Sequence, residues 1–97
     1  MIAFEEFLDF KDSGTVPEDI PPLLQALLLD ASGDWDNAHS IAQAETNRDG
    51  SWVHAYLHRK EGDEWNARYW HRRAGSEFPE GVGLEAEWEL LVHELLE

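Results

Sequence analysis

Hydrophobic residues recur at helical spacing in successive stretches of the chain, and turn-forming residues separate these stretches. Near the N-terminus Phe4, Phe7 and Leu8 share one helical face, which predicts a short amphipathic helix over residues 2–11. A proline-containing approach follows, and at Pro22 a leucine-rich helix begins that is apolar around much of its circumference. A helix with this pattern is expected to pack on two sides.

Two Gly-Asp pairs predict the turns of two helical hairpins. Gly33 is expected to end the leucine-rich helix and Asp34 to cap the next one. Gly62 and Asp63 occupy the same positions in the second half of the chain. Glycine accommodates the left-handed backbone at a helix end, and an aspartate oxygen accepts from the free amides of a helix start. Each pair therefore joins two antiparallel helices.

The complete pattern predicts an all-α protein of about five helices that folds as one domain over residues 1–97. Ser51 is expected to cap the first helix of the second hairpin, so that residues 46–50 form a loop. A final stripe of Leu and Trp, with glutamates outside it, predicts a closing helix. The predicted segments are an N-terminal helix at 2–11, a first hairpin at 22–46, a second hairpin at 51–75 and a capping helix at 82–96.

The two hairpins repeat one sequence pattern at a shift of 29 residues. The shared pattern is A-x-L-x4-G-D-x2-N-A-x2-[IW], which places Ala26 on Ala55 and Ala38 on Ala67. Small alanines allow the two helices of a hairpin to approach closely. Because one hairpin cannot bury its own faces, such a repeat predicts that the two hairpins stack.

The turn and second helix of the second hairpin resemble a tetratricopeptide repeat. The resemblance implies TPR-like antiparallel hairpins in which the first helix of each hairpin lines a concave face. The period of 29 residues departs from the family's period of about 34. The stretch WVHAYLHRKEGDEWNARYW is also similar to a family of small uncharacterised bacterial proteins. This second resemblance gives no information about function. The positions that follow the tetratricopeptide spacing are Gly62, Asp63, Ala67, Trp70, Ala74 and Pro79.

Composition describes a folded and strongly acidic protein. A hydrophobic fraction of 42% with five tryptophans supports a core despite a net charge of -14, and Trp65, Trp70 and Trp88 are expected in that core. The chain has no cysteine, which excludes disulfides and thiolate zinc sites. A cytoplasmic protein is expected, because neither a signal peptide nor an apolar span is recognisable. Its negative charge argues against nucleic-acid and membrane partners.

The first helix of the second hairpin carries the predicted binding residues, Trp52, Tyr56, Arg59 and Lys60. Aromatic side chains beside cations suit an acidic peptide or a C-terminal carboxylate. The sequence therefore predicts a protein-protein interaction module or adaptor with a protein or peptide partner. The two hairpin ends also make a homodimer plausible. The competing interpretation is that Trp52 and Tyr56 belong to the core.

Histidines on the second hairpin suggest an alternative function, metal or small-molecule binding. His54, His58 and Glu61 form one polar stripe on a helix, and His71 on the next helix is the available fourth member. The competing interpretation is that these histidines hydrogen-bond within the hairpin or face water. With no serine or cysteine nucleophile placed beside His58, we expect no catalytic residues, no cofactor and no enzymatic activity.

Overall fold

All regular secondary structure is helical in the computed structural model, which describes residues 2–97. The prediction of an all-α protein is therefore confirmed, with six helices in this range where about five were expected. None of these helices has the length and apolar character needed to cross a membrane. The helices are α1 (Phe4–Ser13), α2 (Pro22–Ala31), α3 (Trp35–Ala44), α4 (Arg48–Lys60), α5 (Glu64–Ala74) and α6 (Leu84–Leu96).

The two hairpins, α2 with α3 and α4 with α5, are built on matching turns. Gly33 and Gly62 have φ values of 95° and 90°, in the left-handed region that favours glycine. The side chains of Asp34 and Asp63 accept from the amide three residues onward, at 3.3 and 3.2 Å. The predicted turns and caps are confirmed in both hairpins. Hydrogen bonds from Asn66 hold the pKa of the Asp63 carboxyl below its usual range.

Helix α4 begins earlier than the sequence analysis predicted. Its cap is Asn47, whose side-chain oxygen accepts from the Gly50 amide at 2.8 Å, and the predicted cap Ser51 is a buried residue inside the helix. The predicted loop at 46–50 is thus wrong for its second half. At Gly50 the helix lies so close to Glu45 that a Cβ atom would overlap the Glu45 carbonyl oxygen. Position 50 therefore requires glycine because there is no space for a Cβ atom, not because the backbone turns there.

Helices α1 and α6 complete the core against the hairpins. Helix α6 packs against α2 and α4, the first helices of the two hairpins, and α1 packs against α2 and α6. Phe7, Leu57 and Leu91 are fully buried where these elements meet. The indole of Trp88 on α6 donates to the carbonyl of Leu27 on α2 at 3.0 Å. This bond satisfies the buried indole and links α6 to the first hairpin.

The expectation of three core tryptophans is correct for Trp88 and wrong for Trp65. Trp88 is buried, Trp70 is half-buried, and Trp65 is 72% exposed. The physical reason is the position of α5 at the edge of the fold: within residues 2–97, α4 is the only helix whose backbone runs close to α5, which reaches α6 through the His71 side chain. The outer face of α5 therefore has no element to cover it.

Replacement of Gly50 by alanine tests the close contact between α4 and Glu45. Alanine gains about 1 kcal/mol of helix propensity, but overpacking against a rigid backbone costs about 1–3 kcal/mol. We expect Gly50→Ala to lose roughly 1 kcal/mol of unfolding free energy, measured by urea denaturation. Gly83→Ala is the control, because a Cβ there meets no atom within 4 Å. A Gly50→Ala protein as stable as wild type would contradict the close contact.

Candidate metal centre

Three histidines from two helices come together on one side of the molecule. His39 projects from α3, and His54 and His58 project from successive turns of α4. One ring nitrogen from each residue can be chosen so that all three lie within 4.8 Å of one another. The rings of His39 and His54 are 4.5 Å apart between centroids, and those of His54 and His58 are 4.8 Å apart. We call these three residues the histidine cluster.

Two tryptophans form the walls of the histidine cluster. The Trp35 ring stacks on His39 with centroids 4.8 Å apart, and the Trp70 ring stacks on His54 with centroids 4.0 Å apart. The indole of Trp35 also donates to the carbonyl of Leu57 on α4 at 2.8 Å, which anchors one wall to the second hairpin. Stacked rings of this kind restrict the rotation of both imidazoles.

Glu61 orients the third imidazole. Its Oε2 atom lies 2.7 Å from Nδ1 of His58, one turn further along the chain. When Nδ1–H of His58 donates a hydrogen bond to this carboxylate, Nε2 of the neutral ring has no proton, and its lone pair is available to a metal ion. Carboxylates that hold the outer nitrogen of a metal-binding histidine have this same geometry. Glu61 also lies with His58 and Asp63 in a second group whose ligand atoms are within 4.8 Å of one another.

Burial keeps two of the imidazoles neutral. Desolvation and the neighbouring histidines lower the pKa of His54 to about 4. Desolvation, with a contribution from His58, also lowers the pKa of His39. Neutral imidazole is the form that binds a metal ion, because the unprotonated nitrogen supplies the lone pair. His39 and His54 are therefore in the form that binds a metal ion near neutral pH.

The structure brings together His54, His58 and Glu61 of the predicted set, but it separates His71 from them. His71 faces α6, where its Nε2 atom lies 3.3 Å from Glu87, and its Nδ1 atom lies 2.8 Å from the Ser76 hydroxyl. Its inclusion in the predicted cluster is wrong, because the rotation of α5 directs this side chain toward α6. Sequence reasoning also missed His39, whose only signal was its place on the helix expected to stack against the second hairpin.

A buried ionic network lies at the contact of α6 with the second hairpin. Glu87 is 2% exposed, and its carboxylate lies 2.8 Å from the Arg59 guanidinium and 3.3 Å from His71. Burial alone would raise the pKa of Glu87, but the contacts with His71 and Arg59 outweigh burial and hold the pKa below its usual value. Arg59 donates as well to the carbonyl of Val82, just before α6.

The predicted binding residues do not form one open surface. Tyr56 is buried and donates to Asp30 on α2 at 3.1 Å, and the ammonium of Lys60 lies 2.9 Å from the same carboxylate. Burial and the Asp30 charge raise the pKa of Tyr56. Trp52 is half-buried against the core, with the Arg48 guanidinium 5.6 Å from its ring centroid.

The four residues thus divide among three contacts. Tyr56 and Lys60 border a surface cavity that Trp88 and Lys11 also line, while Arg59 is engaged by α6 and Trp52 lies apart. A peptide site that joins all four residues stays a prediction.

Comparison with known proteins assigns no family or function to this chain. No protein-family model, no curated protein and no solved structure matches the chain.

Replacement of Glu87 tests the buried network. Glu87→Ala leaves the half-buried Arg59 and the buried His71 without their carboxylate, a loss that costs about 3–5 kcal/mol in comparable buried pairs. We expect a fall of this size in the unfolding free energy, measured by urea denaturation at pH 7. Because the folded-state pKa of Glu87 is depressed, its contribution is complete above the ordinary value of 4.5 and is lost as pH falls through the folded-state value.

The matched control for this network is Glu85→Gln, which removes one charge from the exposed side of the same helix. This variant should keep wild-type stability and pH dependence, whereas Glu87→Gln should flatten the acid limb of the stability curve. Equal effects of the two substitutions would show that Glu87 has no special role.

Proposed function

We propose that this protein binds a first-row transition-metal ion through His39, His54 and His58. The observation that carries the proposal is the approach of three ring nitrogens to within 4.8 Å of one another, from two different helices. The hydrogen bond that Nδ1 of His58 donates to Glu61 supports it, because it leaves the opposite ring nitrogen of His58 unprotonated. The neutral state of His54 supports it further.

The ligand type favours ions that accept imidazole. Zn²⁺, Cu²⁺, Ni²⁺ and Co²⁺ bind neutral histidine nitrogens well, whereas Mg²⁺ and Ca²⁺ prefer oxygen ligands. Metal-nitrogen bonds of about 2.0–2.1 Å require the three nitrogens to lie about 3.3 Å apart in a tetrahedral site. Nitrogens up to 4.8 Å apart must therefore move closer together when an ion binds. Three protein ligands leave a fourth position for water or an exchangeable ligand.

A metal ion at this place would connect the two hairpins. His39 belongs to the first hairpin, and His54 and His58 belong to the second. A ligand that binds only the folded state stabilises it by mass action, and here the added bonds cross the contact between α3 and α4. Metal binding is thus expected to rigidify the stacking of the hairpins.

We also infer that the two hairpins form a tetratricopeptide-like repeat pair. The matching turns at Gly33 and Gly62 support this interpretation, as do the contacts of α4 with both α2 and α3. Helix α6 packs on α2 and α4, the first helices of the two hairpins. In the tetratricopeptide resemblance these helices line the concave face. An experimental structure in which the two hairpins fail to superpose would contradict the repeat.

Titration of tag-free protein with Zn²⁺ and with Co²⁺ tests the proposed metal site. At a free metal concentration of 100 times Kd, one bound ion adds about 2.7 kcal/mol of stability, which raises the Tm of a domain of this size by roughly 10–20 °C. We expect this rise by calorimetry, one ion per chain by elemental analysis, and the visible absorption of tetrahedral Co²⁺.

Single substitutions identify the ligands. His39→Gln and His58→Gln should each weaken Co²⁺ binding at least 100-fold and remove the tetrahedral absorption, while circular dichroism remains helical. His93→Gln is the matched control, because His93 is an exposed histidine on α6 that stacks on Phe4. The proposal fails if wild type binds less than one ion per chain at saturation, or if His93→Gln weakens binding as much as His39→Gln.

A further inference from the structure

The outer face of α5 carries a row of aromatic and cationic side chains, of which Tyr69 is half-buried and the others are exposed. Trp65, Tyr69 and Arg73 follow one another at intervals of four residues, so they lie along one line on the helix. The rings of Trp65 and Tyr69 are nearly parallel, at 9°, with centroids 6.1 Å apart. Arg73 donates to the Tyr69 hydroxyl at 3.3 Å, and its guanidinium lies 5.3 Å from the Trp70 ring centroid. We call Trp65, Tyr69, Arg72 and Arg73 the α5 face.

The cations of the α5 face are free of carboxylates. Within residues 2–97, neither Arg72 nor Arg73 lies in an ion pair, although the chain has 21 acidic residues. By contrast, Arg59 contacts Glu87, and Arg68 contacts two glutamates. With three arginines and one glutamate, α5 has a net charge of +2 in a protein of net charge -14. The α5 face is thus a local site of positive charge.

Folding does not account for the exposed tryptophan. Trp65 is 72% exposed and leaves most of a large apolar ring in water, which contributes little to the core. Tryptophan, tyrosine and arginine are also the residue types most enriched among binding hot spots. Their grouping on an element with no outer neighbour indicates a surface made for contact.

We propose that the α5 face docks an acidic segment of a partner protein. Carboxylates of the segment would pair with Arg72 and Arg73, and an apolar side chain would cover Trp65 and Tyr69. The eight-residue interval from Trp65 to Arg73 corresponds to about 12 Å along the helix, the length of about four extended residues or two helical turns. The segment therefore needs an acidic cluster and an apolar residue about 12 Å apart.

The charge of the whole protein favours an acidic peptide over a nucleic acid as the occupant. A polyphosphate extends far beyond the two arginines and meets the repulsion of a protein with net charge -14. A short acidic segment touches only the local positive charge, since screening at physiological salt limits the reach of other charges to about 8 Å. Docking is thus local and salt-sensitive.

Selection from a random displayed library of 16-residue peptides provides the test. Wild-type protein is the bait, and an Arg72→Glu/Arg73→Glu variant removes peptides that bind elsewhere. We expect the selected peptides to be enriched in Asp and Glu beside an aromatic or aliphatic residue. Fluorescence anisotropy of the strongest labelled peptide should show at least 10-fold weaker binding to Trp65→Ala and to the charge-reversal variant, and weaker binding as salt rises.

Two exposed positions away from α5 supply matched controls. Leu90→Ala removes an exposed apolar side chain from α6, and Arg48→Glu reverses an exposed cation on α4. Both should bind the labelled peptide as wild type does, and all variants should keep the wild-type Tm within a few degrees. Selected peptides without acidic enrichment, or equal loss in the controls, would overturn the proposal.

Two direct measurements separate other occupants of the α5 face. Light scattering coupled to size exclusion measures self-association, and a labelled oligothymidylate of 16 nucleotides measures nucleic-acid binding. We expect a monomer and no oligonucleotide binding at physiological salt. A dimer abolished by Trp65→Ala would identify a second copy of the chain as the occupant and overturn the proposal, as would an oligonucleotide that binds more tightly than the peptide.

Discussion

The buried carboxylate of Glu87 sets the arrangement of the C-terminal helix and the second hairpin. A lone carboxylate at 2% exposure would be strongly destabilising, so α6 must place it beside the Arg59 guanidinium and the His71 ring. A shift of α6 by one residue would remove Glu87 from both partners. The Trp88 indole, bonded to the Leu27 carbonyl, applies the same constraint to the first hairpin. Together these contacts explain how an acidic helix can close the core of an acidic protein.

Ion pairs among the residues that the structure describes involve four of the seven Lys and Arg residues and thereby determine which cations stay unpaired on the surface. Lys60 neutralises the buried Asp30, Arg59 neutralises Glu87, and Arg68 bridges glutamates on and beyond α5. The surplus of positive charge across residues 51–75, five cations against three carboxylates, is therefore partly a set of partners for buried acids. Within residues 51–75, the cations outside these ion pairs are Arg72 and Arg73, at the end of α5. Charge on the surface can thus be interpreted only after the buried ion pairs are known.

Local physics made much of the fold predictable. The two Gly-Asp turns depend on a left-handed glycine and on a hydrogen bond between an aspartate side chain and the amide three residues later. Both residue types can be recognised in the sequence. The start of α4 was missed because two capping residue types, Asn47 and Ser51, lie four apart, and their spacing alone does not choose between them. The exposure of Trp65 was missed for a related reason. Helical periodicity identifies a face, but only the tertiary arrangement determines whether another element covers it.

Part of the candidate metal site could also be predicted from local spacing, and the rest depends on tertiary packing. His54, His58 and Glu61 lie on one helix and at its end, so their spacing alone placed them together. His39 joins them only through the packing of α3 on α4, and His71 leaves them because its ring points to Glu87 on α6. Helix α4 thus separates two kinds of chemistry. One side carries Arg59 into a buried charged network, and the other carries the neutral imidazole of His54 toward the first hairpin. Because the charged network joins α4 to α6 on the opposite side, the proposed metal site can lose its ion without loss of that contact.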